Sequence, residues 1–394
     1  MIFIITITFL YLLLIGWLLV GFHKVKVFKI TNKLPDSNFS IIIPFRNEAE
    51  NLPDLLSSLE AINYPKDKFE VLFINDDSTD NSVLILEKYL VKNKHFKLLN
   101  NQRKSNSPKK DAINTAINIA KYNWIITTDA DCEVPKNWLQ CFNEFINSNL
   151  NKHSTFSSIR EELELGMLVA PVVYKTNKSF LQNFQNMDFL SLIGSTIGGF
   201  GIQRPFLCNG ANLCYKKAVF LKVNGFNGND DIASGDDIFL MEKFLEQNKN
   251  SVKYLKSKDA IVITKPETTF KGLLSQRIRW ASKTGATKNW FGKLVGLLVF
   301  LMNFLLVFGL LFVVWSFFTQ NSQISQICVV FLLLFLLKFN IDFLLIQKTY
   351  KFMGLKNGLK PYIFSSVLYP FFVVLVVILS FFKKYEWKDR RFKA

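Results

Sequence analysis

The sequence is poor in the residues that build metal clusters and disulfide frameworks. Histidine occurs three times, at His23, His95 and His153, too widely spaced to read as a zinc site. The five cysteines, Cys132, Cys141, Cys208, Cys214 and Cys328, are odd in number and include no Cys-x-x-Cys. That argues against a disulfide framework and fits a reducing cytoplasmic face. Acidic residues are outnumbered, 31 Asp and Glu against 48 Lys and Arg, for a formal charge of +17. The excess suits anionic lipid headgroups or a phosphorylated substrate, and equally a lysine-rich proteome. No nucleic-acid-binding module is recognisable, so nucleic acid is not an expected partner. Internal repeats and long disordered tracts are absent from the sequence. The first apolar run has neither positive charge before it nor a small-residue cleavage site after it, so it does not read as a signal peptide.

Apolar residues are plentiful, at 49% with 40 Phe. Ile2–Val20 is just long enough to span a bilayer, and Lys24, Lys26 and Lys29 follow it. The positive-inside rule then puts residues 23 onward in the cytoplasm. Leu294–Phe318, Ile327–Ile346 and Ile363–Phe382 also have spanning length. The uncharged Thr319–Ser325 reads as an outside loop, and the lysine-rich Gln347–Lys360 as cytoplasmic. The expected organisation is a transmembrane helix at 1–22, a cytoplasmic domain at 38–265, an interfacial amphipathic helix at 266–290, about three transmembrane helices over 294–382 and a basic tail at 383–394. This makes a multi-pass protein of the cell's inner membrane. One conflict stays open: three late spans would leave the C-terminus outside, yet Lys383-Lys384 and Arg390-Arg391 are basic. Either the last segment dips and returns, or the charge rule fails there. Lys338 and Asp342, one helical turn apart in a span, read as a neutralising pair in preference to a substrate-facing one.

The central region alternates strand and helix. Phe39–Pro44, Val71–Asn75, Trp124–Thr128 and Met167–Val173 read as strands; Ala49–Ala61, Asn81–Lys92 and Lys110–Lys121 read as helices. Such alternation predicts an α/β fold with a mainly parallel sheet, whose ligands bind beyond the carboxyl ends of the strands. Polar clusters fall at those ends. Asp129-Ala130-Asp131 closes the run from Trp124. Two carboxylates two residues apart leave a strand on one side and can hold a divalent cation against a diphosphate. The other clusters are Pro44-Phe45-Arg46-Asn47-Glu48, Asn75-Asp76-Asp77-Ser78-Thr79-Asp80, Lys110-Asp111-Ala112-Ile113-Asn114, Asn209-Gly210-Ala211-Asn212 with Ser234-Gly235-Asp236-Asp237, and Gln276-Arg277-Ile278-Arg279-Trp280. Taken singly, each has a structural reading: helix caps at Ser78 or Asp80, a solvated Lys110, carboxylates at a helix start, an amphipathic surface helix bearing Phe270, Leu273, Leu274 and Trp280.

Together, over residues 38–290, these clusters resemble the family 2 inverting glycosyltransferases. The resemblance implies a GT-A fold, a Rossmann-like mixed sheet, with N- and C-terminal transmembrane helices. It implies a hexosyltransferase that moves sugar from a nucleotide-sugar, expected to be a UDP-sugar, to a lipid or membrane-associated glycan, as in cell-envelope polysaccharide or glycolipid synthesis. Mg²⁺ or Mn²⁺ is the implied cofactor. By the same resemblance Pro44, Asn47, Glu48, Asp76, Lys110 and Asp129 bind the donor and Asp131 ligates the metal. Asp237 is the general base beside Asp236, where the family usually has Glu. Gln276, Arg277, Arg279 and Trp280 serve the acceptor and diphosphate. Asp77 stands where the family has Gly. A processive polysaccharide synthase is the alternative within the class, and a non-catalytic subunit of a membrane glycan-assembly complex the alternative outside it.

Overall fold

The computed structural model describes residues 2–150, 165–175, 179–229, 232, 234–319, 323–356, 358–382, 385–387 and 390–392. Helix α1 (Ile2–Lys24) leads into strand β1 (Phe39–Phe45), followed by α2 (Leu52–Glu60), β2 (Phe69–Asn75), α3 (Ser82–Leu90), β3 (Phe96–Asn100), α4 (Pro108–Ile119) and β4 (Trp124–Thr127). Next come β5 (Cys132–Glu133), α5 (Trp138–Leu150), β6 (Met167–Val169), β7 (Val172–Tyr174), α6 (Phe180–Gly201), β8 (Leu213–Lys216), α7 (Lys217–Lys222), α8 (Asp236–Gln247), β9 (Val252–Tyr254) and β10 (Val262–Thr264). Helices α9 (Phe270–Ser282), α10 (Trp290–Phe318), α11 (Ile324–Met353) and α12 (Pro361–Phe382) complete the bundle.

The main sheet has seven strands in the order β3-β2-β1-β4-β8-β6-β9. Strands β1 to β4 are mutually parallel, as the buried apolar runs of β1, β2 and β4 predict. β8 alone runs antiparallel, to both β4 and β6, while β6 and β9 run with β1 to β4, so the sheet is mixed and mainly parallel, as expected. The register Phe45↔Asn75 and Ile42↔Thr127 brings the carboxyl ends of β1, β2 and β4 to one edge. β8 enters at that edge, Leu213 beside Thr127, and carries Asn209-Gly210 with it.

The stretch read as a strand over Met167–Val173 is two strands in two sheets. Val169 pairs with Leu213, whereas Val172 pairs with Val262 in a small sheet of order β5-β10-β7. Pro171 lies at the break, and its missing N–H cannot continue a ladder.

Four helices among the described residues, α1, α10, α11 and α12, are long and apolar enough to cross a membrane. Among them sits α6, which the sequence left unassigned. It packs on α1, α11 and α12. Its crossing with α1 is a glycine contact: a Cβ on Gly201 would lie 1.8 Å from the Gly21 carbonyl oxygen, and one on Gly198 2.4 Å from that of Leu18. Small residues allow this approach of two backbones. Gly201→Ala is therefore expected to cost roughly 1–3 kcal/mol by overpacking. Gly16→Ala, with nothing within 4 Å, is the control. Thermal unfolding in detergent checks this, and equal melting of both variants would contradict it.

Helix α12 is bound at its second half. Phe372 and Val376 pack with Phe184 of α6 and Leu273 of α9, and the backbone of Tyr385–Trp387 also lies against α9. Leu273 is therefore covered by protein, whereas Phe270 stays exposed. The basic Lys383-Lys384 and part of the loop 319–325 lie outside the described residues.

Candidate active site

The loop after β2 sets the first wall. Asp76 is buried, and its carboxylate accepts a hydrogen bond from Asn101 Nδ2 at 2.8 Å, with Arg103 Nε 3.9 Å away. Asp77 adopts φ +55, the left-handed conformation that the family's Gly supplies. Arg46 holds the turn by donating to the carbonyls of Asp76 and Asp77, both at 2.8 Å. Asn47, itself at φ +53, accepts from the Thr79 N–H and donates its own N–H to Ser78 Oγ. Neither Ser78 nor Asp80 is the cap residue of α3; Asn81 is, while Asp80 receives the N–H groups of Ser82 and Ala49.

The acidic pair of α8 meets lysines. Gly235, at φ +80, turns the chain into α8, where Asp236 and Asp237 occupy the first turn. Carboxylates are favoured there by the helix dipole. Lys109 Nζ lies 2.7 Å from Asp129 Oδ1 and 3.3 Å from Asp236 Oδ2. Burial opposes charge on Lys109, but Asp129 and then Asp236 hold its ammonium above the usual lysine range. Burial likewise opposes the Asp236 carboxylate, and Lys109, then Lys283, hold it below the usual range. Asp237 Oδ2 accepts the Gly210 N–H at 3.1 Å, and its Oδ1 lies 3.5 Å from Lys283 Nζ. Gly210 fits closely here: a Cβ there would stand 3.1 Å from Asp236 Oδ2 and 3.3 Å from Lys109 Nζ, so either side chain would have to give by a few tenths of an ångström.

Lys110 is placed differently from the sequence expectation. It is almost fully buried and donates to the carbonyls of Asn229 and Ile232 at 2.6 and 2.7 Å, beneath the Phe239 ring. It secures the segment before Asp236, and the neighbouring Lys109 faces the carboxylates.

Strand β4 stops at Thr127, so Asp129 and Asp131 project from the turn beyond it and not from the pleat itself. Asp131 Oδ2 accepts from Thr264 Oγ1 at 3.3 Å, an approach set by the pairing of Thr264 with Cys132. Among the described residues no three His, Cys, Asp or Glu side chains group to hold a metal. Hard carboxylate oxygens on Asp129 and Asp131 nonetheless fit an Mg²⁺- or Mn²⁺-type ion that takes its other ligands from donor phosphates and water.

On α9 the motif divides by helix face. Gln276, Arg279 and Trp280 face the cleft. Arg277 is instead buried behind that wall, in an ion pair with Asp188 of α6 at 2.7 Å, its guanidinium stacked 4.3 Å from the Trp280 ring centre. Gln276 bonds Glu267 and Tyr174 and also receives Arg277.

One cavity of about 1240 Å³ joins these groups. Pro44, Glu48, Asp76, Asp129 and Asp131 line it from the sheet edge, and Lys109, Asp236, Asp237 and Lys283 from the helices. Asn47, Lys110 and Arg277 support the walls instead. Residues 40–188 match the profile of glycosyl transferase family 2, and residues 124–342, more than half the chain, match that of glycosyl transferase family group 2. The chain belongs to glycosyl transferase family 2. Poly-β-1,6-N-acetyl-D-glucosamine synthase of Staphylococcus aureus (strain COL) is 27% identical over 261 residues, 64% of this chain and 57% of the relative. The same-named protein of Staphylococcus epidermidis is 26% identical over 243 residues, 61% of this chain and 53% of the relative. The chain thus spans little more than half the length of the curated relatives it matches. Among solved structures, the mannosyltransferase PcManGT from Pyrobaculum calidifontis, in complex with GDP-Man and Mn²⁺, aligns with a TM-score of 0.53 at 15% identity, covering 97% of each chain. This family 2 chain has the mixed GT-A sheet with long apolar helices at both ends. Sequence reasoning missed Lys109, Lys283, Thr264 and Asp188 in it. Only Lys109 had a local signal, its place at the start of α4.

Proposed function

We propose that this protein is a membrane-bound inverting glycosyltransferase that moves a sugar from a nucleotide-sugar to a hydroxyl-bearing lipid or glycan acceptor. The observation that carries the reading is the gathering of Asp129, Lys109, Asp236 and Asp237 around one cleft from three distant segments of chain. Asp76 accepts from the nucleotide base, for which a uracil imide N–H is the expected donor. Lys109 and Arg279 neutralise the diphosphate. Asp237 removes the proton of the acceptor hydroxyl, whose oxygen then bonds to the anomeric carbon as the carbon–diphosphate bond breaks on the opposite face. Trp280 offers a ring for an acceptor sugar. A divalent cation held by Asp131 and Asp129 would stabilise charge on the departing diphosphate.

A screen of nucleotide release across UDP- and GDP-sugars, with extracted membrane lipids and glycans as acceptors, tests the reading. Release with none of them sinks it. Asp131→Asn is expected to raise the Mn²⁺ concentration for half-maximal turnover roughly tenfold or more, since cation affinity follows ligand charge. An unchanged Mn²⁺ titration would remove Asp131 from the metal site.

A second reading, a processive polysaccharide synthase, is favoured by the names of the relatives. Product length separates the two. We also place the α/β domain in the cytoplasm, from the lysines after α1, with α12 returning toward the same side, since Phe372 and Val376 of its second half pack on Leu273 of α9 and the backbone of Tyr385–Trp387 lies against α9.

A further inference from the structure

The cavity does not end at the transfer site. It continues between the apolar helices, where Tyr11 of α1, Lys338 and Asp342 of α11, and Ser366 and Tyr369 of α12 line it. Tyr11, Lys338 and Tyr369 lie near the middles of their helices. Lys338 and Asp342 form an ion pair, and Tyr11 Oη donates to the other Asp342 oxygen at 2.7 Å. Lys338 Nζ stands 5.7 Å from the Tyr11 ring centre and 5.3 Å from that of Tyr369. Ionisable groups are costly at such depth. A pair serving neutralisation alone could be packed between helices, but this one faces the cavity.

We propose that this cluster is a second subsite, which binds the hydroxyl-rich, uncharged sugar units of a glycan acceptor away from the transfer site. The inference rests on the glycosyltransferase reading. The charges of Lys338 and Asp342 cancel, so a phosphate entering here would bring a net negative charge into an apolar surround with no cation left to offset it. A neutral polyol has no such cost. An ammonium has three donors and a carboxylate about four acceptor sites, so both keep capacity for sugar hydroxyls beyond their mutual bond. Tyr11 and Tyr369 add aromatic faces for pyranose rings.

The test uses the full chain in lipid nanodiscs and β-1,6-linked N-acetylglucosamine oligomers of increasing length, taken from the sugar in the relatives' names. Binding is measured calorimetrically without donor, so the result does not depend on turnover. Affinity is expected to rise from the monosaccharide to the longer oligomers. Tyr11→Phe, and the paired Lys338→Met with Asp342→Leu, are expected to weaken the long oligomers roughly tenfold, the size of one hydrogen bond to a charged group. Monosaccharide and nucleoside diphosphate affinities should not move. Tyr11→Phe keeps the ion pair, so the test survives if the double variant does not fold. Equal affinity for all lengths, absence of oligomer binding, unchanged binding in Tyr11→Phe, or displacement of oligomer by a polyprenyl phosphate through Lys338 would each overturn the subsite. Absence of nucleotide release with oligomer binding intact would instead count against the transferase reading.

Discussion

Asp237→Asn is expected to lower turnover by roughly 10²–10⁴, the range for loss of a general base, with donor binding intact. The substitution keeps the side chain's shape, and an amide oxygen can still accept the Gly210 N–H that now meets Asp237 Oδ2. What it removes is the capacity to take a proton. Asp236→Asn addresses a different contact, the one with Lys109, so it should act through positioning and be milder on the chemical step. The competing reading makes both carboxylates mere partners of the α8 dipole, each worth about 0.3–1 kcal/mol. Initial rate, nucleotide affinity and melting temperature on both variants separate the two. A fully active Asp237→Asn enzyme, or one lost only to unfolding, removes the base assignment. A larger rate loss at Asp236 moves it by one residue.

Sequence carried much of this site because its clusters follow strands. Buried runs such as Ile41-Ile42-Ile43 and Val71-Leu72-Phe73-Ile74 announce parallel strands, and the parallel register alone gathers Asp76 and Asp129 at one edge. The short strands were illegible for a physical reason. β5, β9 and β10 hold two or three residues each, too few for a period to appear. Helix α6 escaped because its Asn183, Gln185, Asn186 and Asp188 break the apolar pattern, although most of its faces are covered by protein. Two of its glycines, Gly198 and Gly201, which would read as helix breakers, are contact points with α1, and Gly194 is one with α11. The motif on α9 was legible as a motif but not in its parts. Arg277 and Arg279 are alike in chemistry, and Asp188, 89 residues earlier than Arg277, decides which of them is buried.

The same difficulty applies to Lys109 and Lys110, and paired substitutions resolve it. Successive residues on an α-helix point about 100° apart, so one of two adjacent lysines faces the cleft and the other does not. Lys109→Met is expected to reduce turnover by roughly 10²–10³, the loss typical of removing one preorganised group from developing charge. It should also weaken nucleoside diphosphate binding. Its effect on stability has a sign. The Asp236 carboxyl is held low by Lys109, so that contribution is present above the ordinary Asp range and is lost as pH falls through the depressed value. Lys109→Met should therefore narrow the stability difference between neutral and acidic pH. Lys110→Met should behave otherwise. It leaves the carbonyls of Asn229 and Ile232 without a buried donor, which costs about 1–3 kcal/mol, and moves the melting temperature more than nucleotide affinity. Nucleotide titrations, initial rates and thermal melts at two pH values on both variants give the answer. If Lys110→Met loses nucleotide affinity while Lys109→Met keeps it, the phosphate contact belongs to Lys110, and Lys109 serves to hold Asp129 and Asp236 in place.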